Sequence, residues 1–380
     1  MDAAATAKYE NIDNTIVDTI IDAMKNAWQN PSSLYASSVK DKINKCRSNI
    51  AKFIGSKNNE IYFTSGASES NSWAITGWIN ECKSYDNCPI NVITTKIEHK
   101  SILNAVNNSS AIVRYCNVDE FGFADCEHLE SILMICDNNK EPILVSVGMA
   151  NNEIGTIQNI KGISELVHRY NGVLHVDATQ VFGHIPFDVE ELGIDMMSCS
   201  GHKLSPVLKG IGFLYKKDSI NIQPIIYGTQ ENGMRGGTEN TYGIIGLSKA
   251  VELCDFSADK INDVVEKRNY FIDLLKSKFG CKLNGHCTYR LLNNINVTFA
   301  QNITAESLLY VLDMGGIKIS VGSACNSKSY EPSHVLKAIG LSDEDAMKTV
   351  RFTLPNNISH SDIDYVINEI EKSIKLIETN

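Results

Sequence analysis

Two side chains of this 380-residue chain could do chemistry together, a lysine and a carboxylate. Asp177 comes directly after the apolar run 172–176, and Lys203 follows the run 196–199 after a short turn of small and polar residues. Both runs are typical of buried strands in a parallel sheet, and parallel strands end at the same edge, where α/β proteins bind ligands. An amine and a carboxylate are therefore expected at one site.

This pair meets two requirements of pyridoxal phosphate. The cofactor needs an amine that forms a Schiff base and a carboxylate that keeps its ring nitrogen protonated, so that the ring can accept electrons. A turn at Ala67 and Ser68, between the β-rich segment 61–64 and a helix, offers backbone N–H groups to a phosphate. His99, at another strand end, offers an imidazole that could stack on the ring. Taken alone, the turn could equally be an ordinary helix cap, and His99 a structural histidine.

The composition favours a protein that acts on small molecules. The chain has 35 basic and 45 acidic residues, a net charge of −10, and no lysine- or arginine-rich run, which argues against nucleic acid as a partner. No apolar stretch approaches the ~18 residues that cross a bilayer, and no signal peptide is recognisable, so we expect a cytoplasmic protein that makes no membrane contact. The eleven cysteines include no C-x-x-C pair, which argues against a disulfide framework and a structural zinc site.

Strand-like and helical segments alternate from residue 61 to residue 216, which predicts an α/β fold. A large domain would hold a mainly parallel seven-stranded sheet flanked by helices, one of them near Glu190, and a small α+β domain would follow from residue 291. We place the large, cofactor-binding domain at residues 13–255. The rest would form an N-terminal segment, a linking helix and the small domain, at residues 1–12 and 256–380. The seven predicted strands are 61–64, 91–95, 112–116, 142–147, 172–176, 195–199 and 212–215.

Eight short strings along almost the whole chain resemble one family, the pyridoxal-phosphate-dependent cysteine desulfurases of the class V aminotransferase superfamily. The kind it resembles has a long cysteine loop and supplies sulfur for iron–sulfur clusters. The resemblance implies the fold type I architecture of that superfamily. The strings are Thr64-Ser-Gly-Ala-Ser-Glu-Ser70, Glu98-His-Lys100, Asn151-Asn-Glu-Ile-Gly155, His175-Val-Asp-Ala-Thr-Gln180, Ser200-Gly-His-Lys203, Arg235-Gly-Gly-Thr238, Gly322-Ser-Ala-Cys325 and Arg351-Phe-Thr.

The resemblance implies a role for each residue around the cofactor ring. Lys203 would be the Schiff-base lysine, and Asp177 the partner of the pyridine nitrogen. His99 would stack on the ring and take part in catalysis, and Gln180 would bond to the phenolic oxygen. Asn152 would contact the cofactor as well as the substrate.

The resemblance also implies how phosphate and substrate are held. The phosphate would be bound by Ala67, Ser68, Ser200 and His202, and by Thr238 reaching in from the second subunit of a homodimer.

The substrate carboxylate would be held by Asn152 and by a two-pronged contact from Arg351, which suits a planar anion. The family's opening motif is reduced here to Asp2-Ala-Ala-Ala-Thr6, so one wall of the substrate pocket could be altered.

Cys325 is the residue that would separate a desulfurase from a general aminotransferase. It lies in the small and polar stretch 320–329, which predicts a loop with an exposed thiol. A thiolate is the nucleophile that takes sulfur from L-cysteine, which leaves alanine and a persulfide on the enzyme. The sulfur would pass to a partner such as an iron–sulfur scaffold or a thiolation protein, and Cys325 could transiently ligate a nascent cluster. We expect no other metal site.

Two other interpretations stay open from the sequence. The chain could be a selenocysteine lyase or another enzyme of the class V superfamily, such as a transaminase of small amino acids. It could also be a non-catalytic scaffold for sulfur transfer, although the complete set of Lys203, Asp177, His99 and Cys325 argues against decay of the site.

Overall fold

The fold was obtained as a computed structural model, which describes residues 1–2, 14–33, 35–85, 88–321, 332–355 and 357–379. A seven-stranded sheet forms the centre of the large part, in the spatial order β1-β7-β6-β5-β4-β2-β3. Its strands are β1 (Ile61–Thr64), β2 (Asn91–Thr95), β3 (Ile112–Cys116), β4 (Ile143–Gly148), β5 (Val173–Asp177), β6 (Met196–Ser200) and β7 (Gly212–Lys216).

The direction of the strands confirms the predicted α/β class with a mainly parallel sheet. Four neighbouring pairs, from β3 through β2, β4 and β5 to β6, are parallel, whereas β7 runs antiparallel to both β6 and β1. Every residue of β2, β6 and β7 is buried, as expected for strands covered on both faces.

Helices cover both faces of this sheet. One face packs around Trp73 of α3, and the other packs around Phe182, Phe213 and the apolar residues of α2 and α6. The helices are α1 (Asn14–Asn26), α2 (Ser37–Ile54), α3 (Ala67–Tyr85), α4 (Lys100–Asn107), α5 (Cys126–Asn138), α6 (Ile160–Arg169) and α7 (Thr241–Glu252).

The helix predicted near Glu190 is wrong. Residues 189–193 form a single turn instead. Oδ1 of Asp188 caps its start by accepting from the backbone N–H groups of Glu190 and Glu191, and Gly193, with a φ of 65°, ends it as the N–H of Ile194 donates to the carbonyl of Val189.

A second, four-stranded sheet forms the small part, in the order β10-β11-β9-β8, and all three pairings are antiparallel. Its core surrounds Phe271 and Phe352, and the side chain of Met1 is buried in it. The elements are α8 (Ala258–Phe279), β8 (Lys282–Leu283), β9 (Asn294–Thr298), α9 (Ala305–Met314), β10 (Ser320–Val321), α10 (His334–Ala338), α11 (Asp343–Met347), β11 (Thr349–Thr353) and α12 (His360–Glu378).

A buried arginine joins the two parts. Arg290 donates from Nη2 to the carbonyl of Ile154 at 3.1 Å, from Nη1 to the carbonyls of Asn284 and His286, and from Nε to the carbonyl of Asn294. Burial, followed by the nearby charge of Arg268, lowers the pKa of Arg290 to about 9, so the guanidinium stays protonated at neutral pH. These hydrogen bonds from Arg290 hold segment 151–155 against the small sheet.

We expect Arg290→Lys to lower the free energy of unfolding by about 2–4 kcal/mol, because a lysine keeps the charge but leaves buried carbonyls without donors. The measurement is urea unfolding followed by circular dichroism. The control is Arg169→Lys, at an exposed ion pair with Glu130, which should cost less than about 1 kcal/mol. Equal losses in the two variants would show that Arg290 does not join the two parts.

Candidate active site

A cavity of about 460 Å³ opens at the carboxyl ends of the parallel strands. This volume lies in the range of pockets that bind small molecules. The cavity brings together residues from five strand ends of the large part with Arg351 of β11 and His334 of α10. The residues of its lining that were predicted from the sequence are Ala67, Ser68, His99, Asn152, Asp177, Gln180, Ser200, His202, Lys203 and Arg351.

Lys203 ends a single 3-10 turn that directly follows β6. The turn begins at Gly201, where an added Cβ would lie 3.0 Å from Ile211 and Leu208, so the backbone packs closely there. Burial, together with the charges of Lys203 and then Lys209, lowers the pKa of His202 to about 4. His202 is therefore neutral at physiological pH, and the turn places the amine of Lys203 in the same short segment as a neutral imidazole.

The carboxylate of Asp177 is fixed at the end of β5 by two donors. Asn71 of α3 donates from Nδ2 to Oδ2 at 2.7 Å, and the N–H of Thr179 donates to Oδ1 at 3.0 Å. Because a carboxylate needs a donor, the amide of Asn71 must point its NH₂ group at Asp177. Asn71 is fully buried and was not singled out from the sequence.

The same amide connects Asp177 to His99. Nδ2 of Asn71 also donates to Oγ of Ser101 at 2.8 Å, and that hydroxyl lies 2.7 Å from Nδ1 of His99. The backbone N–H of Ser101 donates to Nδ1 as well, so this nitrogen is an acceptor. Desolvation lowers the pKa of His99, and the neutral ring therefore carries its proton on Nε2.

The segment from β1 to α3 forms an anion site. Gly66 has a φ of 151°, a conformation that favours glycine, and an added Cβ would point towards Oγ of Ser200 at 3.4 Å. The N–H groups of Ser65 and Gly66 donate to Glu69 and to Oγ1 of Thr64, and the first helical bond of α3 begins at the N–H of Ser70, so the N–H groups of residues 67–69 have no helical carbonyl as a partner. Ser200 lies 2.6 Å from Nδ1 of His202, which gathers a hydroxyl and an imidazole at this helix N-terminus.

Glu98 is a buried carboxyl group in the cavity wall that the sequence reasoning did not single out. It accepts hydrogen bonds from Oγ1 of Thr95 and from the N–H of Gly148, both at 2.7 Å. Burial raises its pKa to about 7, although both hydrogen bonds act in the opposite direction. The carbonyl of Glu98 lies 3.1 Å from Nε2 of His334, which ties the small part to the loop of His99.

Arg351 lies in the middle of β11 with its side chain 8% exposed. Nη1 donates to the carbonyl of Asn152 at 3.0 Å, and Nη2 donates to Oδ1 of Asp2 at 2.8 Å and to Oγ of Ser320 at 2.9 Å. Nε is buried and has no hydrogen-bond partner among the described residues. The guanidinium thus faces the cavity with some of its donors already engaged.

The comparisons with known proteins agree with this geometry. The family of class V aminotransferases matches residues 1–366. A cysteine desulfurase IscS of Dictyoglomus turgidum is 40% identical over 364 residues, 94% of this chain and 90% of that protein. Another, from Clostridium botulinum strain Hall, is 43% identical over 356 residues, 91% of this chain and 87% of its own. The chain belongs to the cysteine desulfurases of the class V aminotransferase family.

Solved structures agree with this family. A NifS-like protein superposes with a TM-score of 0.88 at 30% identity, over 99% of this chain and 98% of that one. The protein SspA, solved in complex with cysteine, has a TM-score of 0.79 at 32% identity, over 93% of this chain and 98% of its own. The fold of the desulfurase is therefore the fold type I architecture that the sequence strings implied.

Cysteine desulfurases use pyridoxal phosphate, and the cavity fits this cofactor. The helix N-terminus, Ser68 and Ser200 suit a phosphate dianion, because they supply N–H and O–H donors, and Arg235 pairs with the nearby carboxylate of Glu69. Asp177 and Lys203 supply the carboxylate and the amine that the ring and aldehyde need. Thr179 adds a buried hydroxyl that has no partner among the described residues.

Two of the predicted site residues do not line this cavity. Cys325 lies outside the described residues. Thr238 is exposed and lines a separate, smaller pocket together with Ser65 and Arg235 of the same chain. The role predicted for Thr238 requires a second subunit, so its position on its own chain leaves that prediction untested.

Within the described ranges, no helix is long and apolar enough to cross a membrane. The same part of the chain holds no group of three or more His, Cys, Asp or Glu side chains arranged to bind a metal ion.

The raised pKa of Glu98 predicts a change of stability with pH. Its folded-state pKa of about 7 lies above the ordinary value of 4.5, so the folded protein holds this proton more tightly than the unfolded chain. As the pH rises from 4.5 to 7, the contribution of this carboxyl group therefore becomes less favourable to folding. We expect Glu98→Gln to gain about 1–3 kcal/mol relative to the parent between pH 5 and pH 8.

Urea unfolding at the two pH values measures this gain. The same substitution at the exposed Glu191 is the control, and it should follow the parent at both pH values. A constant difference between Glu98→Gln and the parent would contradict the raised pKa.

Proposed function

We propose that this protein is a cysteine desulfurase that converts L-cysteine to L-alanine and leaves the sulfur as a persulfide on Cys325. The observation that carries the proposal is the meeting of Lys203, Asp177 and Arg351 in one cavity of a chain that belongs to the desulfurases. These residues supply an amine, an oriented carboxylate and a guanidinium, which are the groups that the reaction of an amino acid on this cofactor requires.

Pyridoxal phosphate, when bound, supplies a protonated ring that takes up the electron pair of the Cα–H bond of the substrate. Asp177 holds the proton on the ring nitrogen, and its carboxylate is aimed for this by Asn71 and by the N–H of Thr179. Lys203 would hold the aldehyde carbon of the cofactor, and its Nζ amine would move the Cα proton of the substrate. His99 would stack on the ring, and it can donate from Nε2 because Nδ1 is engaged by Ser101.

The donors around the cavity hold the anionic groups. Ala67, Ser68, Ser200 and His202 bind the phosphate at the N-terminus of α3. Gln180 bonds to the phenolic oxygen of the cofactor.

The substrate carboxylate binds to Arg351 and to Asn152, which also contacts the cofactor. A guanidinium is suited to this because its planar N–H groups match a carboxylate.

Cys325 takes the sulfur as a thiolate. The new S–S bond forms while the Cβ–S bond of the substrate breaks, and the electron pair of that bond returns to carbon, which takes up a proton and becomes the methyl group of alanine. The persulfide is then passed to an acceptor protein, such as an iron–sulfur scaffold or a thiolation protein. We place the reaction in the cytoplasm, since the cysteines of the described ranges are all free thiols.

The proposal predicts that Cys325→Ser lowers the rate of alanine formation by at least about 100-fold, because a hydroxyl is a poor nucleophile towards sulfur. Alanine and sulfide are measured after L-cysteine is added, and mass spectrometry shows whether a sulfur atom has been added to the peptide that contains residue 325.

The controls are Cys126→Ser and Cys287→Ser, which remove exposed thiols outside the cavity lining and should leave both products unchanged. Lys203→Ala sets the level without catalysis. If Cys325→Ser formed alanine at the parental rate, the assignment of Cys325 would be wrong.

We further propose that the protein is a homodimer in which Thr238 completes the phosphate site of the other subunit. Arg235 forms a two-pronged ion pair with Glu69 of α3, at 2.8 and 3.1 Å, and Arg47 forms another with Glu231. These pairs hold the segment around Thr238 against its own chain while the threonine itself is exposed. An exposed threonine on a segment held in this way is suited to a neighbouring site.

Co-expression of Lys203→Ala and Thr238→Val subunits tests this arrangement. If Thr238 serves the partner, a mixed dimer contains one site with both residues intact, and activity should rise towards about a quarter of the parental value in a random mixture. Each variant alone should be weak. If co-expression gave no more activity than the separate variants, Thr238 would serve its own subunit.

A further inference from the structure

Most N–H donors of Arg351 are engaged by the protein itself before any substrate is present. A guanidinium has five N–H groups, and three of those of Arg351 are engaged, one by the carbonyl of Asn152, one by Asp2 and one by Ser320. Nε is buried and has no hydrogen-bond partner among the described residues. A two-pronged contact needs two parallel N–H groups, one of which belongs to Nη2, and both N–H groups of Nη2 are already engaged.

Asp2 is the engaged group that can leave. Its side chain is 24% exposed, and that of Arg351 is 8% exposed. The backbone next to it is firmly placed, because the N–H of Thr353 donates to the carbonyl of Met1 at 2.9 Å and Asp2 forms a parallel bridge with Thr353. The side chain can therefore rotate towards water without disturbing the strand.

Asp2 also carries the same functional group as an amino-acid substrate, a carboxylate. It presents a carboxylate oxygen to Nη2 of Arg351 at 2.8 Å, and Arg351 itself lines the cavity together with Asn152. Ser320 is buried and neutral, so its departure would leave a buried hydroxyl without a partner, whereas exchange of one carboxylate for another keeps the buried guanidinium paired.

We propose that Asp2 is an internal competitor of the substrate, whose carboxylate occupies Nη2 of Arg351 until the carboxylate of the amino acid displaces it. This inference rests on the proposed function, in which Arg351 binds the substrate carboxylate. Asp2 thereby sets the affinity for the amino acid and favours ligands that carry a carboxylate able to replace it.

The test removes the negative charge of Asp2 and keeps its shape. Asp2→Asn in the cofactor-loaded enzyme should lower KM for L-cysteine by about three- to tenfold with kcat unchanged, because a neutral amide competes less well for the guanidinium. The affinity for L-alanine, which has the carboxylate but no sulfur, should rise by the same factor in isothermal titration calorimetry. Asp2→Ala should act in the same direction.

The control is Asp313→Asn, which removes the same charge from an exposed ion pair with Lys318 away from the cavity and should change neither value. An unchanged or raised KM in Asp2→Asn would overturn the proposal, since Asp2 would then merely orient Arg351.

The variant Arg351→Met distinguishes a failure of the competition by Asp2 from a failure of the proposed function. If Arg351→Met leaves KM for L-cysteine unchanged, Arg351 does not bind the substrate and the proposed function fails at that residue. If it raises KM while Asp2→Asn does not lower it, only the competition is excluded. In the Arg351→Met background, Asp2→Asn should have no effect on KM.

Discussion

The register between β5 and β6 is the constraint on which the site depends. Parallel pairing sets Asp177 opposite Ser198, so that the carboxylate ends one strand while the neighbouring strand runs on to Ser200 and the turn of Lys203. A slip of one residue would turn the side chain of Asp177 to the other face of the sheet. The packing of α3 supports the same register, because its Asn71 reaches Asp177 across the sheet.

Burial limits the number of charges around this carboxylate. His175, two residues before Asp177, is fully buried between hydroxyls of Ser146 and Ser198, and burial lowers its pKa to about 4. His202 is neutral for the same reason, and the raised pKa of Glu98 keeps that carboxyl group partly protonated near neutrality. Besides Glu98, the Asp, Glu, Lys and Arg side chains that line the cavity are Glu69, Lys100, Glu153, Asp177, Lys203 and Arg351, three acidic and three basic.

The sequence was sufficient for the sheet and for the residues at strand ends, because apolar runs and the small-residue turn are local signals. It was insufficient where the deciding contact joins distant segments, as with Asn71 to Asp177, Glu98 to Gly148 and Asp2 to Arg351. The error at Glu190 has a local cause, since the left-handed Gly193 ends the turn a few residues after Asp188 caps its start. Cys325 lies outside the described residues, so its role at the site stays a prediction.

The bridge between Asp2 and Thr353 also constrains how the chain folds. Asp2 and Arg351 are 349 positions apart, and Met1 is buried in a core built from residues 271–374. During synthesis, residues 1 and 2 leave the ribosome long before β11 and can pair with it only once it has emerged. The large sheet is made wholly from residues 61–216, so its strands can pair before then. The contact between Asp2 and Arg351 therefore forms among the last contacts of folding.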